Sequence, residues 1–411
     1  MRILQLVKWL SAREDTGGKI RSFQLGRALA SFACVDVVGF VRPGESVSGR
    51  EEHLSHYDRL YPIPFSHAAR NATTALAGFA AGLSLRSARF SDPAYRRSID
   101  KILSENHYHA VQVEELSLMN HLGSHWRNLP IIYSAHNLES QLSPATVAGG
   151  NPLFRLLAGT ERRRTVAEER RAVERSRACL AVSNQDRDSL LELCPGNRTP
   201  VHVIPNCAHD RFQPSLEPVS KKEILAVGCF GWYPNEDGMR WFMEAVLPGL
   251  RMMQPRLVIR VAGSEIGPSL GRKLRKCGFF VYPDVPDVLP FLQHARLLVV
   301  PLRIGGGTRI KIVEAWAAGV PVVSTGAGAD GLPCRPGVDI VIADDPVHFA
   351  ESIHSVLEDD LFYKKLRSEG LDQAKRLRWS GLAGALQGIY ASAVEEGRAL
   401  GYTCQRPCSG S

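Results

Sequence analysis

A triple glycine, Gly305-Gly306-Gly307, set between an apolar run and a helical pattern, constrains the fold of this chain more than any other feature. The run before it ends in Val299, Val300 and Pro301 and reads as a strand. Thr308, a good helix N-cap, follows the glycines. From Arg309 onward the apolar residues Ile310, Val313, Ala317 and Ala318 recur at helical spacing, and Gly319 with Pro321 ends the helix. Residues 320–324 read as the next strand. The stretch is therefore a βαβ unit with a glycine loop ahead of its helix.

Two cations, Arg309 and Lys311, fall in the expected first turn, where the helix dipole already favours acids. Cations beside unsatisfied backbone N–H groups make sense where an anion binds, and phosphate is the usual one. The alternative leaves both side chains in solvent at a small cost. Glu314, one turn beyond Ile310, is within reach of a ribose attached to such a phosphate, or else is a surface residue or ion-pair partner.

This stretch resembles the donor site of the retaining glycosyltransferases of family 4, which have the GT-B fold. Members carry a Glu-x7-Glu motif whose second Glu binds the nucleotide ribose, and Glu314 matches it. The position of the first Glu, which contacts the donor sugar, is Gly306 here. The resemblance thus implies nucleotide and diphosphate binding more firmly than any particular sugar.

A chain of 411 residues suffices for two or three domains, and 44% hydrophobic with 22% charged residues is ordinary for a globular protein. The net charge of +8 suits an anionic partner. Residues 1–205 hold 26 Lys/Arg against 20 Asp/Glu, so +6 of it lies in the first half. No zinc-finger spacing or RNP motif points to nucleic acid, so a phosphorylated acceptor or an anionic membrane surface fits better. The nine cysteines show no C-x-x-C pair and no metal-ligand spacing. Cys34, Cys179 and Cys229 sit in apolar surroundings and read as buried thiols. No run reaches transmembrane length, and the apolar start is too short for a signal peptide. The expected location is cytoplasmic, with peripheral contact at the inner membrane face as an option.

In chain order, residues 2–7 form a first strand, and a loop over 8–18 ends in Thr16-Gly17-Gly18 ahead of a helix containing Ile20 and Phe23. Gly17 and Gly18 either make a tight turn or let the backbone approach a ligand. The fingerprint G-x-G-x-x-G is absent, which counts against a nicotinamide enzyme. Position and context match the family's glycine loop, which packs under the donor diphosphate. Residues 43–100, with Arg86, Arg89, Arg96 and Arg97, form either a surface helix with a basic rim or an acceptor-side, membrane-facing insertion. His136 ends a strand over 130–134, where open α/β sheets place ligand sites. A single His is more often structural than functional; the resemblance reverses this and implies a place near the donor sugar and phosphate. Residues 161–177 read as an exposed, self-paired charged helix.

A polar stretch over 212–222 marks the expected domain boundary. The family's Arg and Lys after the second domain's first strand are missing from residues 229–237, so Arg309 and Lys311 are inferred to have taken over that charge. Trp232 and Asn235 are candidates to line the nucleotide pocket, though Trp232 fits a plain core residue equally well.

The expectation is an α/β protein of two doubly wound, Rossmann-like domains facing a cleft. Residues 1–212 form the acceptor side, 213–380 the nucleotide-sugar donor side. A final helix over 381–396 packs back on the first domain, and 400–411 form a disordered tail. The resemblance implies sugar transfer from a nucleotide sugar, a substrate rather than a cofactor, to a glycan or lipid-linked acceptor with retention of configuration. Donor contacts fall to Gly17, Gly18, Trp232, Asn235, Gly305, Gly306, Gly307, Thr308, Ile310 and Glu314, and catalysis to His136, Arg309 and Lys311. No obligatory metal and no nucleic acid are expected. A non-hydrolysing sugar-nucleotide epimerase and an inactive nucleotide-sugar-binding protein are the alternatives.

Overall fold

The computed structural model describes residues 1–11, 14–42, 54–65, 77–142, 158–215, 219 and 222–399. The proposed tail over 400–411, with Cys404 and Cys408, and the greater part of 43–76 lie outside the described residues.

Two parallel sheets organise the chain. The first contains β1 (Arg2–Trp9), β2 (Cys34–Val41), β3 (Arg59–Pro64), β4 (Ala110–Glu114), β5 (Ile131–Ser134), β6 (Ala178–Ala181) and β7 (Val201–Val203) in the order β3-β2-β1-β4-β5-β6-β7. The second contains β8 (Glu223–Cys229), β9 (Val258–Ser264), β10 (Phe280–Pro283), β11 (Leu297–Val300), β12 (Val322–Ser324) and β13 (Val341–Ile342) in the order β10-β9-β8-β11-β12-β13. In both, the order reverses beside the first strand, and ligands of such sheets gather at the carboxyl ends there. The central strands are apolar without alternation because helices cover both faces. β4 and β5 are buried at every position, with Val111 opposite Ile131 and Val113 opposite Tyr133. In the first sheet the fully buried polar exceptions are Gln5 on β1, Asp36 on β2, Gln112 and Glu114 on β4 and Ser134 on β5.

Several local expectations change. β1 runs two residues further than expected, and the first helix, Gly17–Ala30, begins at Gly17, so both glycines lie inside its first turn. The helix after the triple glycine spans Ile310–Ala317 with Arg309, not Thr308, at the N-cap. Thr308 instead accepts a hydrogen bond on Oγ1 from Asn206 Nδ2 at 2.8 Å, so its hydroxyl serves the neighbouring chain rather than the helix. The charged helix, Ala158–Arg175, is not simply an exposed one. Glu161, Glu168 and Glu169 are buried. Glu168 accepts from Ser84 N and Oγ and from Ser87 Oγ, Glu161 from Leu85 N at 2.7 Å, and Glu169 from Ser140 N at 3.1 Å. Glu161 and Glu168 satisfy the backbone at the start of the Leu85–Arg89 helix and Glu169 that of Ser140, which opposite-charge spacing alone cannot reveal. Cys179 is buried as expected, but Cys34 is exposed at the start of β2.

The last helix, Ala383–Ala399, buries Leu386, Ile389, Tyr390, Ala393 and Val394 against the Gly17–Ala30 helix and β4. A single hydrophobic cluster runs from Ile3 and Phe23 through Leu298 and Trp316 to Leu386 and Tyr390, joining residues of both sheets to this helix.

The helix Tyr233–Trp241 lies tight against the strand that feeds the triple glycine. A Cβ at Gly238 would stand 2.5 Å from the Pro301 carbonyl oxygen, a backbone atom with no freedom to rotate away. Gly238→Ala therefore sets a helix-propensity gain of about 1 kcal/mol against an overpacking cost of about 1–3 kcal/mol. The expected outcome is a lower urea midpoint with an unchanged denaturant slope; a higher midpoint would show that the helix shifts freely.

Candidate active site

The carboxyl ends of the two sheets face each other, and the glycine loop is where their backbones meet. Gly307, at φ +70°, lies against the N-terminal sheet: a Cβ there would be 2.8 Å from the His136 carbonyl oxygen and 3.2 Å from Asn137 Cβ. A Cβ at Gly306 would be 2.9 Å from Leu142 Cδ2. Gly305, at φ +144°, leaves room for the Arg309 guanidinium and the Trp232 ring, which would lie 2.5 and 3.1 Å from a Cβ. The triple glycine is therefore required by close approach on two sides and by backbone angles that other residues rarely adopt. Ser264 Oγ donates across the cleft to the Asp15 carbonyl, and Arg42 and Arg211 pair with Glu265 and Asp287 at 3.2 and 2.7 Å.

Two helix N-termini converge in this gap. Gly17 opens one helix and Ile310 the other, and a Cβ at Gly17 would be 3.8 Å from Ile310 Cδ1. Neither start is capped by a side chain, whereas Ser183, Asp345 and Asp359 cap theirs. Gly18 faces the opposite wall, where a Cβ would be 3.3 Å from Glu115 Oε1 and 3.6 Å from His136 Nδ1.

The sequence-predicted residues thus assemble, though not all as expected. Arg309 is buried and turns back on its own loop, donating from Nη1 to the Gly306 and Gly307 carbonyls at 2.5 Å each, with its guanidinium 5.5 Å from the Trp232 ring. It braces the loop rather than projecting into the gap. Lys311 projects across instead: Nζ donates to Asn235 Oδ1 at 2.9 Å and would lie 2.9 Å from a Cβ at Gly228. That puts its ammonium at the end of β8, beside the segment that contains no Arg or Lys. Trp232 is half-buried and Asn235 buried. Among the described residues, no group of three or more His, Cys, Asp or Glu side chains is arranged to hold a metal ion.

Sequence reasoning missed the residues beneath His136. Its Nε2 donates to Glu114 Oε2 at 2.7 Å, and its Nδ1, 3.8 Å from Glu115 Oε1, is buried without a hydrogen-bond partner among the described residues. Glu115 holds a positive φ of 76° at the strand end and pairs with Lys8. A signal was present: a glutamine and a glutamate interrupt the apolar run AVQVE, and a glutamine the run RILQLVKW.

Comparison with known proteins agrees with this architecture. A family model described as Glycosyltransferase Family 4 matches residues 17–210, and one described as Glycosyl transferases group 1 matches residues 221–359. The chain belongs to glycosyltransferase family 4. Its fold is GT-B. A D-inositol 3-phosphate glycosyltransferase of Salinispora tropica is 24% identical over 300 residues, covering 66% of this chain and 60% of that protein. The lipopolysaccharide core biosynthesis mannosyltransferase LpsB of Rhizobium meliloti is 28% identical over 173 residues, covering 36% of this chain and 48% of that protein. The chain thus spans less than two thirds of the length of these relatives. Sucrose-phosphate synthase of Thermosynechococcus elongatus superposes with a TM-score of 0.71 at 15% identity, over 96% of this chain and all of that one. Anabaena Alr3699/HepE, solved in complex with UDP and glucose, gives a TM-score of 0.68 at 13% identity, over 95% of this chain and 100% of that one.

Burial dominates the electrostatics of this family-4 site. It pushes the Glu314 carboxyl up to about 7, with Arg211 acting against it and Glu14 reinforcing it. It pushes the Arg309 guanidinium down to about 10. The Lys311 ammonium falls to about 7, first through burial and then through Arg309. For Lys311 the folded state binds its proton less tightly than the unfolded chain. Its cost to stability is full below pH 7 and is relieved as pH rises from 7 toward 10.5.

A diphosphate beside Lys311 would restore its proton. Nucleoside diphosphate titrated at pH 8 is therefore expected to draw up to about one proton from the buffer. Calorimetry in two buffers of different ionisation enthalpy reads this directly, and Lys311→Ala should abolish the uptake. The same variant should flatten the rise in melting temperature between pH 7 and 10. Buffer-independent heats in the parent protein would remove Lys311 from the anion site.

Proposed function

We propose that this chain transfers a sugar from a nucleoside-diphosphate sugar to an acceptor hydroxyl, with retention of configuration. The observation that carries the reading is the pair of uncapped helix N-termini, at Gly17 and at Ile310, brought to one gap by a backbone contact at Gly307. Each offers unsatisfied N–H groups and the positive end of a dipole, the arrangement that binds phosphate. A diphosphate spanning both would meet charge from Lys311, while Arg309 keeps the loop carbonyls turned away by occupying them. Glu314 and Asn235 border the nucleotide side, and His136 and Glu115 border the sugar side.

In this reading the sugar C1–oxygen bond to the diphosphate breaks as the acceptor oxygen attacks from the same face. The electron pair leaves with the diphosphate, stabilised by the helix N–H groups. The acceptor's proton passes to the departing phosphate oxygen. Retention follows from family resemblance. The acceptor is a glycan, a lipid-linked precursor or another phosphorylated hydroxyl compound; the last finds support in relatives named for D-inositol 3-phosphate and the second in one named for lipopolysaccharide core. No helix of the described residues is long and apolar enough to cross a membrane.

Incubation with a panel of UDP- and GDP-sugars tests the reading. Slow donor hydrolysis, or transfer giving a product whose anomeric proton coupling matches the donor's, supports it. An isomerised donor would point to an epimerase, and saturable binding without turnover to a binding protein. Gly18→Val places two methyl groups in the space between the helix start and Glu115 and His136. It should abolish turnover while leaving the melting temperature within a few degrees. A collapsed melting temperature with parental activity per folded molecule would make Gly18 a folding residue only.

A further inference from the structure

The buried polar side chains of β1 and β4 form one connected network that ends in the cleft. Glu114, with no exposed surface, accepts two bonds on Oε1, from Gln5 Nε2 at 2.9 Å and from Gln112 Nε2, and one on Oε2 from His136 Nε2. Each glutamine is in turn fixed by a tyrosine. Tyr57 Oη donates to Gln5 Oε1 at 2.9 Å, and Tyr390 Oη donates to Gln112 Oε1. Gln5 Nε2 also donates to the Ser22 carbonyl at 2.9 Å. Gly26 makes room for this, since a Cβ there would be 2.3 Å from Tyr57 Oη and 2.7 Å from Gln5 Oε1.

The donor and acceptor roles run one way along these chains. A tyrosine hydroxyl donates to an amide oxygen, which turns the amide N–H groups toward the carboxylate. An ionised carboxylate only accepts, so the nitrogen of His136 that faces it must carry hydrogen. Burial alone would drive Glu114 toward its protonated form, yet its pKa falls below the usual value, with the His136 bond as the largest opposing cause and Gln5 among the others. The remaining ring nitrogen, Nδ1, is the one beside Gly18 and Glu115. Tyr390 belongs to the C-terminal helix, so the end of the chain closes a path of four side chains that begins at the cleft.

We propose that Tyr390 and Gln112, with Tyr57 and Gln5 as a second arm, are positioning residues that hold Glu114 ionised and thereby fix the His136 proton on Nε2, presenting Nδ1 to the sugar-phosphate end of the donor. This deepens the sugar-transfer reading and rests on it only for its effect on turnover. The logic is that of a carboxylate orienting a catalytic imidazole, where loss of the charged acceptor gives the wrong tautomer. Here the carboxylate is itself held by two amides. Losing one donor weakens the ionised form, lets a proton settle on Glu114 and moves the ring hydrogen to Nδ1.

The test uses full-length protein labelled with 15N-histidine and long-range proton–nitrogen correlation spectra, with the His136 signal identified by its loss in His136→Ala. The parent ring is expected as the single Nε2–H tautomer. Gln112→Met keeps the volume and removes the donor, and should bring in a population with hydrogen on Nδ1. Tyr390→Phe should shift the same signals in the same direction by less. In turnover, Gln112→Met should lower kcat by about ten- to a hundredfold, the usual range for loss of a supporting contact, with donor KM and diphosphate affinity within about twofold. A residue that merely fills the core would lower the melting temperature and leave tautomer and kcat per folded molecule untouched, and that result overturns the proposal. A response to Gln112→Met with none to Tyr390→Phe or Tyr57→Phe overturns the part given to the tyrosines. A parent protein without transfer activity defeats the sugar-transfer reading, while the tautomer spectra still decide the positioning one.

Discussion

Contact between two backbones sets the geometry of this molecule. Gly307 rests against the His136 carbonyl, and Thr308 is held by Asn206, which also accepts from Arg21 at 3.0 Å. A Cβ at Gly307 would stand 2.8 Å from that carbonyl, so the loop or the strand end would have to shift. Such a shift would disturb the alignment of the Gly17 and Ile310 helix starts on one small anion. The close approach is thus what turns two ordinary helix N-termini into a shared site. It also explains why the loop needs an internal brace. Glycines at φ +144° and +70° have many alternatives in the unfolded chain, and Arg309, occupying two of the loop's carbonyls, selects among them.

The architecture was legible because it rests on period and punctuation. Uninterrupted apolar strands, glycine turns and helical spacing announce a doubly wound sheet, and the run from Val299 to Ser324 carries all three. The expected start of the glycine-loop helix erred by one residue, since Thr308 has the chemistry of a cap but spends its hydroxyl on Asn206. Burial of charge was the part that could not be read. The glutamates of Ala158–Arg175 have the spacing of a solvated helix, and only the fold brings Ser84, Leu85 and Ser140 within hydrogen-bond distance of them.

The candidate site was legible in its glycines and less so in its charges. Lys311 and Glu314 stand where helical spacing placed them, on a helix start that faces the other domain. Arg309 occupies the same stretch of sequence with the opposite orientation, because the N-cap residue leaves the helical path and its side chain can turn back. A one-residue shift in the helix start therefore separates a brace from a ligand contact. Gln5, Gln112 and Glu114 were visible as interruptions of apolar strands, but which of them reaches His136 depends on the register of β4 against β5. Which amides gather around Glu114 depends on that of β1 against β4, which sets Gln5 opposite Gln112.

The register of β1 against β4 also decides which face these side chains share. In a parallel sheet, residues opposite each other on adjacent strands point to the same face, so Gln5 and Gln112 arrive together on one side of the sheet, and Glu114, two residues on, shares it. This face is the one covered by the Gly17–Ala30 and Ala383–Ala399 helices, from which Ser22 and Tyr390 reach the two amides. An apolar core at these positions would pack as well and cost less to desolvate. The polar core is sustained because its amides, hydroxyls and carboxylate are all satisfied, and it ends at His136 Nδ1, which has no hydrogen-bond partner among the described residues. Two amides and two hydroxyls, all buried, are thus committed to the state of one carboxylate, and that carboxylate to the orientation of one ring at the wall of the cleft.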